Sequence, residues 1–445
     1  MSFNSNLFNI SNLLKSHDKK NPQGIFRITV VSFEDRCNIN CGFRFAELLK
    51  KNNLFDVNFF NEKFPKGFLN LQGRNFFDFI DRGQEIIRNT KSDIIIWGYE
   101  EGGKIRINFQ LDNQYTIPKN LFFSLLDSIF IPLNYFSDPE NFSESLMLLI
   151  YGIIIAAINP VTNEQKINKP KILQNILNLL SNDSSQKDIP REFMPYIMNM
   201  LGKIYLSNVS ANLTEKDICI CQNLFENSLK NKNLMRLPVY YACIYNNLGQ
   251  LFEIASNSVK TDAFSYIKQS ISAYREAQKF LNRNYPYDYG IIAYHLSLLY
   301  FEFWKYTSDI QALRDAVSQL REAEKVYTIT QFPHSWCHIE GLLGYYLTSL
   351  GMSTNSNEIL LLAINSYKNQ QKFFEQYAFP VEWAKIQEHI GHIYYLLGKI
   401  NSDEKFMLEA RNYFLSALDI YKNLNIKNLM ADIEKRLLKI KDYIS

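Results

Sequence analysis

The chain has 445 residues, 47% of them hydrophobic, and a formal charge of +3 from 48 basic and 45 acidic side chains. That length exceeds one compact core and suffices for a domain plus a helical array. The balanced charge argues against a nucleic-acid or membrane-surface footprint. Six cysteines in so long a chain speak for a reduced, cytoplasmic setting and against a disulfide scaffold.

Residues 1–24 are a polar, Asn-rich lead with a short helical stretch at Leu7–Leu14 and no signal-peptide order of a basic region before an apolar one. From Ile25 the texture changes. IFRITVVSF (25–33) predicts a buried strand, Phe43–Lys51 a helix, FDVNFF (55–60) a second strand, and a loop with Pro65, Gly67 and Gly73 follows. Phe76–Asn89 predicts a second helix, with Phe76, Phe79, Ile80, Gly83 and Ile87 at helical spacing, and DIIIWGYE (93–100) a third strand. Gly102-Gly103 turns the chain into KIRINFQL (104–111). There Ile105, Ile107, Phe109 and Leu111 alternate with Lys104, Arg106, Asn108 and Gln110, which predicts a half-exposed strand. The order β-α-β-α-β-β is a small α/β domain closed by a hairpin. The stretches ITVVSFED and SDIIIWGYEEGGKIRINFQL resemble the small α/β domain at the amino terminus of TolB proteins. That resemblance implies an accessory or interaction domain and no catalysis.

Pro118 and Pro132 bracket a predicted amphipathic helix, Leu121–Phe130, and the domain, 25–138, ends in the loop Ser137–Pro139. Ser143 suits an N-cap, with Glu144 in the first turn. The run Leu146–Ile158, LMLLIYGIIIAAI, has 13 residues, short of the roughly 18–20 needed to span a bilayer. A buried helix is expected there and no stable membrane span. It belongs to an atypical first helix pair within 139–189, Phe142–Ile158 and Lys171–Leu180, followed by a polar loop, Ser181–Lys187.

Residues 190–425 repeat. Pro286, Pro333 and Pro380 are 47 residues apart, as are Gly202 and Gly249, Gly344 and Gly391, the alanines 316, 363 and 410, and Leu320, Tyr367 and Phe414. A fixed period of this length means stacked supersecondary units. Pairs are expected to start near Pro190, Pro238, Pro286, Pro333 and Pro380, since proline suits a first helical turn. Residues 426–445 predict a capping helix, with Leu429, Ile433, Leu437 and Ile440 inward and Lys435, Arg436 and Lys439 outward.

Within each unit a small residue on the first helix is followed by a small–aromatic–small series at four-then-three spacing on the second. Gly391 precedes Ala410, Phe414 and Ala417; Gly249 precedes Ser270, Tyr274 and Ala277; Gly344 precedes Ala363, Tyr367 and Gln370. Ser297 replaces the glycine before Ala316, Leu320 and Ala323. This pattern resembles the tetratricopeptide repeat. A standard unit of about 34 residues is lengthened here by 13, which leaves two options: longer helices, or inserts in turns such as Thr354–Asn357 and Asn401–Asp403. The resemblance implies a stacked helical array that binds a peptide or a helix of a protein partner in a concave groove. Its groove positions, six and three residues before the small residue and one and four after it, fall here on Asn199, Lys203, Asn246, Gln250, Glu253, Tyr294, His338, Tyr345, Thr348, Lys385, Glu388, His392 and Tyr395. The family's run of Lys and Asn that clamps a terminal carboxylate is not reproduced.

No motif for catalysis stands out. Pro333-His334-Ser335-Trp336-Cys337-His338 lacks a second ligand pair for zinc, and Trp336 and Trp383 share a repeat position, which speaks for packing. Cys37/Cys41 and Cys219/Cys221 have no redox or zinc context. Glu34-Asp35 follows the first strand without the partners of a receiver-type acidic pocket, and no phosphate-binding glycine loop, serine elbow or H-E-x-x-H occurs. The fold class expected is α+β and predominantly α: a small N-terminal α/β domain followed by an α-helical, tetratricopeptide-like solenoid. The function expected is that of a non-enzymatic adaptor or scaffold with no metal or cofactor, its partner a protein or peptide and not nucleic acid. The competing expectation is a regulator whose α/β domain senses a small ligand or nucleotide. A concave polar pocket at the strand ends near Phe33–Arg36 and Trp97–Tyr99 would favour the regulator, and a filled surface there the scaffold. The Asn, Ile and Lys richness is compatible with an AT-rich, bacterial genome.

Overall fold

A computed structural model of the chain describes residues 26–35, 39–51, 54–63, 74–111, 127–158, 162–180, 194–230, 238–281, 285–375, 378–441 and 443. The polar lead, the loop around Pro65–Gly73, the start of the expected helix at Leu121, the loop Ser181–Lys187 and the expected helix start at Pro190 lie outside the described residues. The fold is a small five-stranded sheet with helices, followed by helices packed in tandem. The chain divides into two compact units, 1–292 and 293–445.

In the first unit the sheet has the order β2-β1-β3-β4-β5, built from β1 (Phe26–Ser32), β2 (Phe55–Lys63), β3 (Ile94–Glu101), β4 (Lys104–Leu111) and β5 (Ile129–Pro132). β1 lies between β2 and β3, parallel to both, with Ile28 opposite Val57 on one side and Ile94 on the other. A central parallel strand is covered on both faces, which is why FRITVVS is buried almost throughout. The crossovers are α1 (Cys41–Lys50) and α2 (Arg74–Thr90). β3 and β4 form a hairpin over Gly102 and Gly103, both at positive φ (58° and 74°), the left-handed geometry a tight two-residue hairpin turn requires.

Two expectations fail here. Ile129 and Phe130, placed at the end of a helix by the sequence, start the fifth strand, antiparallel to β4. Four apolar residues ending in a proline are too few for a helix and enough for an edge strand. β4 is not half exposed either: Arg106, Asn108 and Gln110 are all buried. Several of their polar atoms are bonded within the protein instead of solvated. Gln110 donates to the Ile80 carbonyl of α2 at 2.8 Å, and Arg106 Nε donates to Ser128 Oγ at 3.0 Å, which donates to Asn108 Oδ1 at 3.0 Å.

After a short α3 (Leu133–Ser137) come the pairs α4 (Glu144–Ala157) and α5 (Asn163–Leu180), α6 (Met194–Val209) and α7 (Glu215–Leu229), and α8 (Pro238–Ser258) and α9 (Ala263–Phe280). α4 carries the apolar run. It is buried on nearly every side, capped by Ser143 and seated against the sheet through Tyr151, whose ring lies 5.5 Å from Phe55. Among the described residues no helix is long and apolar enough to cross a membrane. The carboxyl end of α4 is closed by Lys169 of α5, which donates to the carbonyls of Ala156 (2.8 Å) and Ile158 (2.7 Å). That satisfies groups a helix end leaves unbonded. Burial pushes the Lys169 ammonium down to about 8. One hydrophobic core runs without a break from Phe26 to Ala273, so the expected boundary near residue 139 does not interrupt it.

The second unit holds most of α10 (Pro286–Thr307), with α11 (Ile310–Glu324), α12 (Pro333–Thr354), α13 (Asn357–Gln371), α14 (Pro380–Asn401), α15 (Glu404–Asn423) and α16 (Lys427–Lys441). Each pair turns over two residues of the same chemistry. A left-handed residue (Ser308, Asn355 or Ser402) is followed by an N-cap (Asp309, Ser356 or Asp403) whose side chain accepts from the next helix. The turns are therefore short, and α10, α12 and α14 each have 22 residues. Within each pair the extra length therefore sits in the helices and not in inserts at Thr354–Asn357 or Asn401–Asp403, while the connection between pairs, 325–332, has eight residues. α16 covers the last pair with Ile433 and Ile440 buried, but Arg436, expected outward, bonds Glu388 at 3.1 Å. A carboxylate at that distance outcompetes water for a guanidinium on a half-buried surface.

The repeated small residues have one physical role. A Cβ on Gly202, Gly249 or Gly344 would fall 2.6–2.7 Å from the ring of Phe225, Tyr274 or Tyr367, and on Gly391 3.0 Å from that of Phe414. Gly344→Val is expected to lower stability by about 1–3 kcal/mol through overpacking, measured by urea denaturation of the full chain. An unchanged midpoint would show that the ring has room to move.

Candidate functional site

At the carboxyl ends of β1 and β3, where an open α/β sheet offers a crevice, the space is occupied. Phe33 is buried, and a Cβ on either Gly42 or Gly98 would meet it. Glu34 pairs with Tyr99 by a β-bridge, and Asp35 turns back to accept from the amides of Ile39 (2.9 Å) and Cys41 (3.1 Å) at the start of α1. Burial, aided by the Asp35 charge, raises the Cys41 thiol to about 12. Cys337 is likewise raised to about 12 by burial, so neither is a thiolate near neutral pH. In the same segment His334 is exposed against the Phe373 ring and Trp336 is buried. Among the described residues no group of three or more His, Cys, Asp or Glu side chains could hold a metal ion.

The residues assigned to the first-helix face divide between the two units. In the first unit Asn199 and Lys203 of α6 and Asn246 and Gln250 of α8 are all buried. Part of this face is covered by the chain's own sheet. Phe130 of β5 lies 5.2 Å from the Tyr196 ring and 6.1 Å from that of Tyr240, at the amino ends of α6 and α8. Asp127, just before β5, reaches the polar cluster beside them. Its carboxylate is 3.7 Å from Lys203 Nζ and accepts from Cys243 Sγ at 3.4 Å and Asn247 Nδ2 at 3.5 Å. Lys203 Nζ donates to Asn247 Oδ1 (2.7 Å) and Gln250 Oε1 (3.2 Å), and Asn247 donates to Asn199 Oδ1 (3.1 Å). Burial holds the Lys203 ammonium below the usual lysine range, with Asp127 opposing. Neither amide atom of Asn246 finds a partner among the described residues. Glu253 is half-buried and accepts from Tyr274 OH at 2.8 Å.

In the second unit part of the same stripe is open. His338, Tyr345 (50% exposed) and Lys385 face outward, and Glu388 and His392 are partly exposed. Tyr294 is buried, but its hydroxyl meets Nε2 of the exposed His338 at 3.0 Å. Glu388 is bonded on two sides, by Arg436 and by Tyr421 OH at 3.3 Å. Burial, then Arg436, lowers His392 to about 4, so it is neutral at pH 7. Thr348 is buried and donates to the Gly344 carbonyl, and the half-buried Tyr395 ring meets Tyr443.

Sequence reasoning missed Asp127, Phe130, Cys243 and Asn247. Cys243 stands 47 residues after Tyr196 and could have been found from the period. Asp127 and Phe130 carry no local signal, because their partners are 66 to 120 residues away. The molecule is thus a small N-terminal α/β sheet followed by a tandem series of helical pairs, its last strand seated against the second and third of them. No protein-family model matches the sequence, and no curated protein gives a significant match.

Lys203→Met alone removes the cation beside the buried Asp127 carboxylate and is expected to cost about 3–5 kcal/mol. Lys203→Met with Asp127→Leu is expected to recover most of that loss. Urea denaturation of these variants, of Asp127→Leu and of the wild type gives the comparison, and a double loss equal to the sum of the two single losses would mean that the pair is not coupled.

Proposed function

We propose that this protein is a non-enzymatic interaction adaptor of the tetratricopeptide kind, and that its partner-binding surface is the first-helix face of residues 293–445. The observation that carries this reading is the difference between the two units. Equivalent repeat positions are covered by the chain's own Asp127 and Phe130 in the first unit, whereas His338, Tyr345 and Lys385 in the second have no such cover among the described residues. A face that accepts a protein strand in one place is chemically suited to accept one in another. Aromatic area combined with hydrogen-bonding and cationic groups suits a peptide or helix of a partner protein. The filled strand ends around Phe33 and Asp35 favour an accessory, TolB-like role for the sheet over ligand sensing. The five described cysteines are free, in keeping with a reducing cytoplasm.

The test uses the full chain as bait, with His338→Ala, Tyr345→Ala and Lys385→Ala combined, beside a control at the exposed Leu361 on α13. The combined variant is expected to weaken partner binding by about tenfold or more, measured on the purified partner, while Leu361→Ser binds as the wild type does. Equal binding by all three would move the surface elsewhere. Substitutions at Asn246 and Gln250 are expected instead to change stability, since both are buried.

A further inference from the structure

Glu340, in the second turn of α12, is a carboxyl group with no exposure to solvent. Its Oε1 accepts from Asn369 Nδ2 of α13 at 3.1 Å, and its Oε2 accepts no hydrogen bond among the described residues. The group it lies against on α11 is the carboxyl of Glu324, the last residue of that helix. Two carboxyl groups attract each other only when one holds a proton, which it then donates to the other. Among the described residues, the cations bonded to this chain of groups reach it at its two ends and not at Glu340. Arg321 of α11 bonds Glu324 at 2.7 Å, and Lys372, after α13, donates to Asn369 Oδ1 at 2.7 Å. Ser366 of α13 and the neutral Cys337 thiol of α12 complete the surroundings. The residue after Glu340 is Gly341, where a Cβ would fall 2.5 Å from Gln370 Nε2. α12 thus packs closely against the Gln370 side chain of α13 at this point.

We propose that Glu340 and Glu324 form a proton-operated latch between neighbouring repeats. With one shared proton they tie α11 to α12. Without it they repel across a closed interface, and the junction loosens. Burial first, and the Glu324 charge second, push the Glu340 carboxyl up to about 7 from an ordinary 4.5. A raised folded value means that the folded state holds the proton more tightly than the unfolded chain. The stabilisation is complete below the unfolded value and is lost as pH rises through about 7. The latch is independent of what the first-helix face binds.

Hydrogen exchange of the α11 and α12 amides in the full chain, corrected for the intrinsic pH dependence of exchange, tests it. Wild-type protection is expected to fall by about tenfold or more between a pH of about 5.5 and about 8.5. Glu340→Gln, uncharged and of the same shape, is expected to remove that dependence and keep protection high at the alkaline end. Glu324→Gln removes the like charge and is expected to move the midpoint to lower pH, which gives a reading even if Glu340→Gln perturbs folding. Protection that is flat with pH in the wild type, or the same pH dependence in the wild type and both variants, would overturn the proposal.

Discussion

The close approach of a glycine edge to an aromatic ring joins the helices of four of the pairs, and the arrangement of the first-helix face follows from it. Phe225, Tyr274, Tyr367 and Phe414 occupy the space that side chains at Gly202, Gly249, Gly344 and Gly391 would need. This contact fixes the distance between the helices and also the rotation of the first helix about its axis. With the glycine turned to its own second helix, residues at −6, −3, +1 and +4 lie about a quarter-turn away, along one stripe. The stripe therefore recurs every 47 residues with the glycines. The short turns support the same geometry, because a left-handed residue and an N-cap leave no slack between the helices.

What becomes of that stripe differs along the chain. In the first unit it is apolar and aromatic at the amino ends of α6 and α8, through Tyr196 and Tyr240, and amide-rich and cationic beside them. The sheet supplies the complement, Phe130 to the rings and Asp127 to the polar cluster. The N-terminal domain and the first helical pairs consequently share one core, and the sheet acts as an internal occupant. In the second unit the stripe carries His338, Tyr345 and Lys385 into solvent. The adaptor reading grows from that contrast.

Three buried ionisable groups show how differently a charge inside a repeat array can be accommodated. Lys169 closes a helix end on two carbonyls. Lys203 is held in a network of amides with a carboxylate beyond them. Glu340 has an amide on one oxygen and another acid beside it. The first two are bonded to acceptors that match a cation. The third is held toward the neutral acid by burial and by the carboxyl beside it.

The fold class, the strands up to β4 and the glycine–aromatic pairing were legible in the sequence, because each rests on local patterning or on a fixed period. The helix start at Pro333 was legible for the same reason, as proline and the repeat act within one turn. Exposure was not legible. Gln250 and Tyr345 hold the same place relative to their glycines, yet one is buried and the other half exposed. β4 alternates like a half-exposed strand and is covered on both faces. The sequence by itself determined the helical pairs, their period and the stripe on each first helix, since these follow from side-chain size and helical geometry. Only the tertiary structure decided which part of the stripe is covered, because the covering residues, Asp127 and Phe130, lie far along the chain from their partners and meet them through the folding of the sheet.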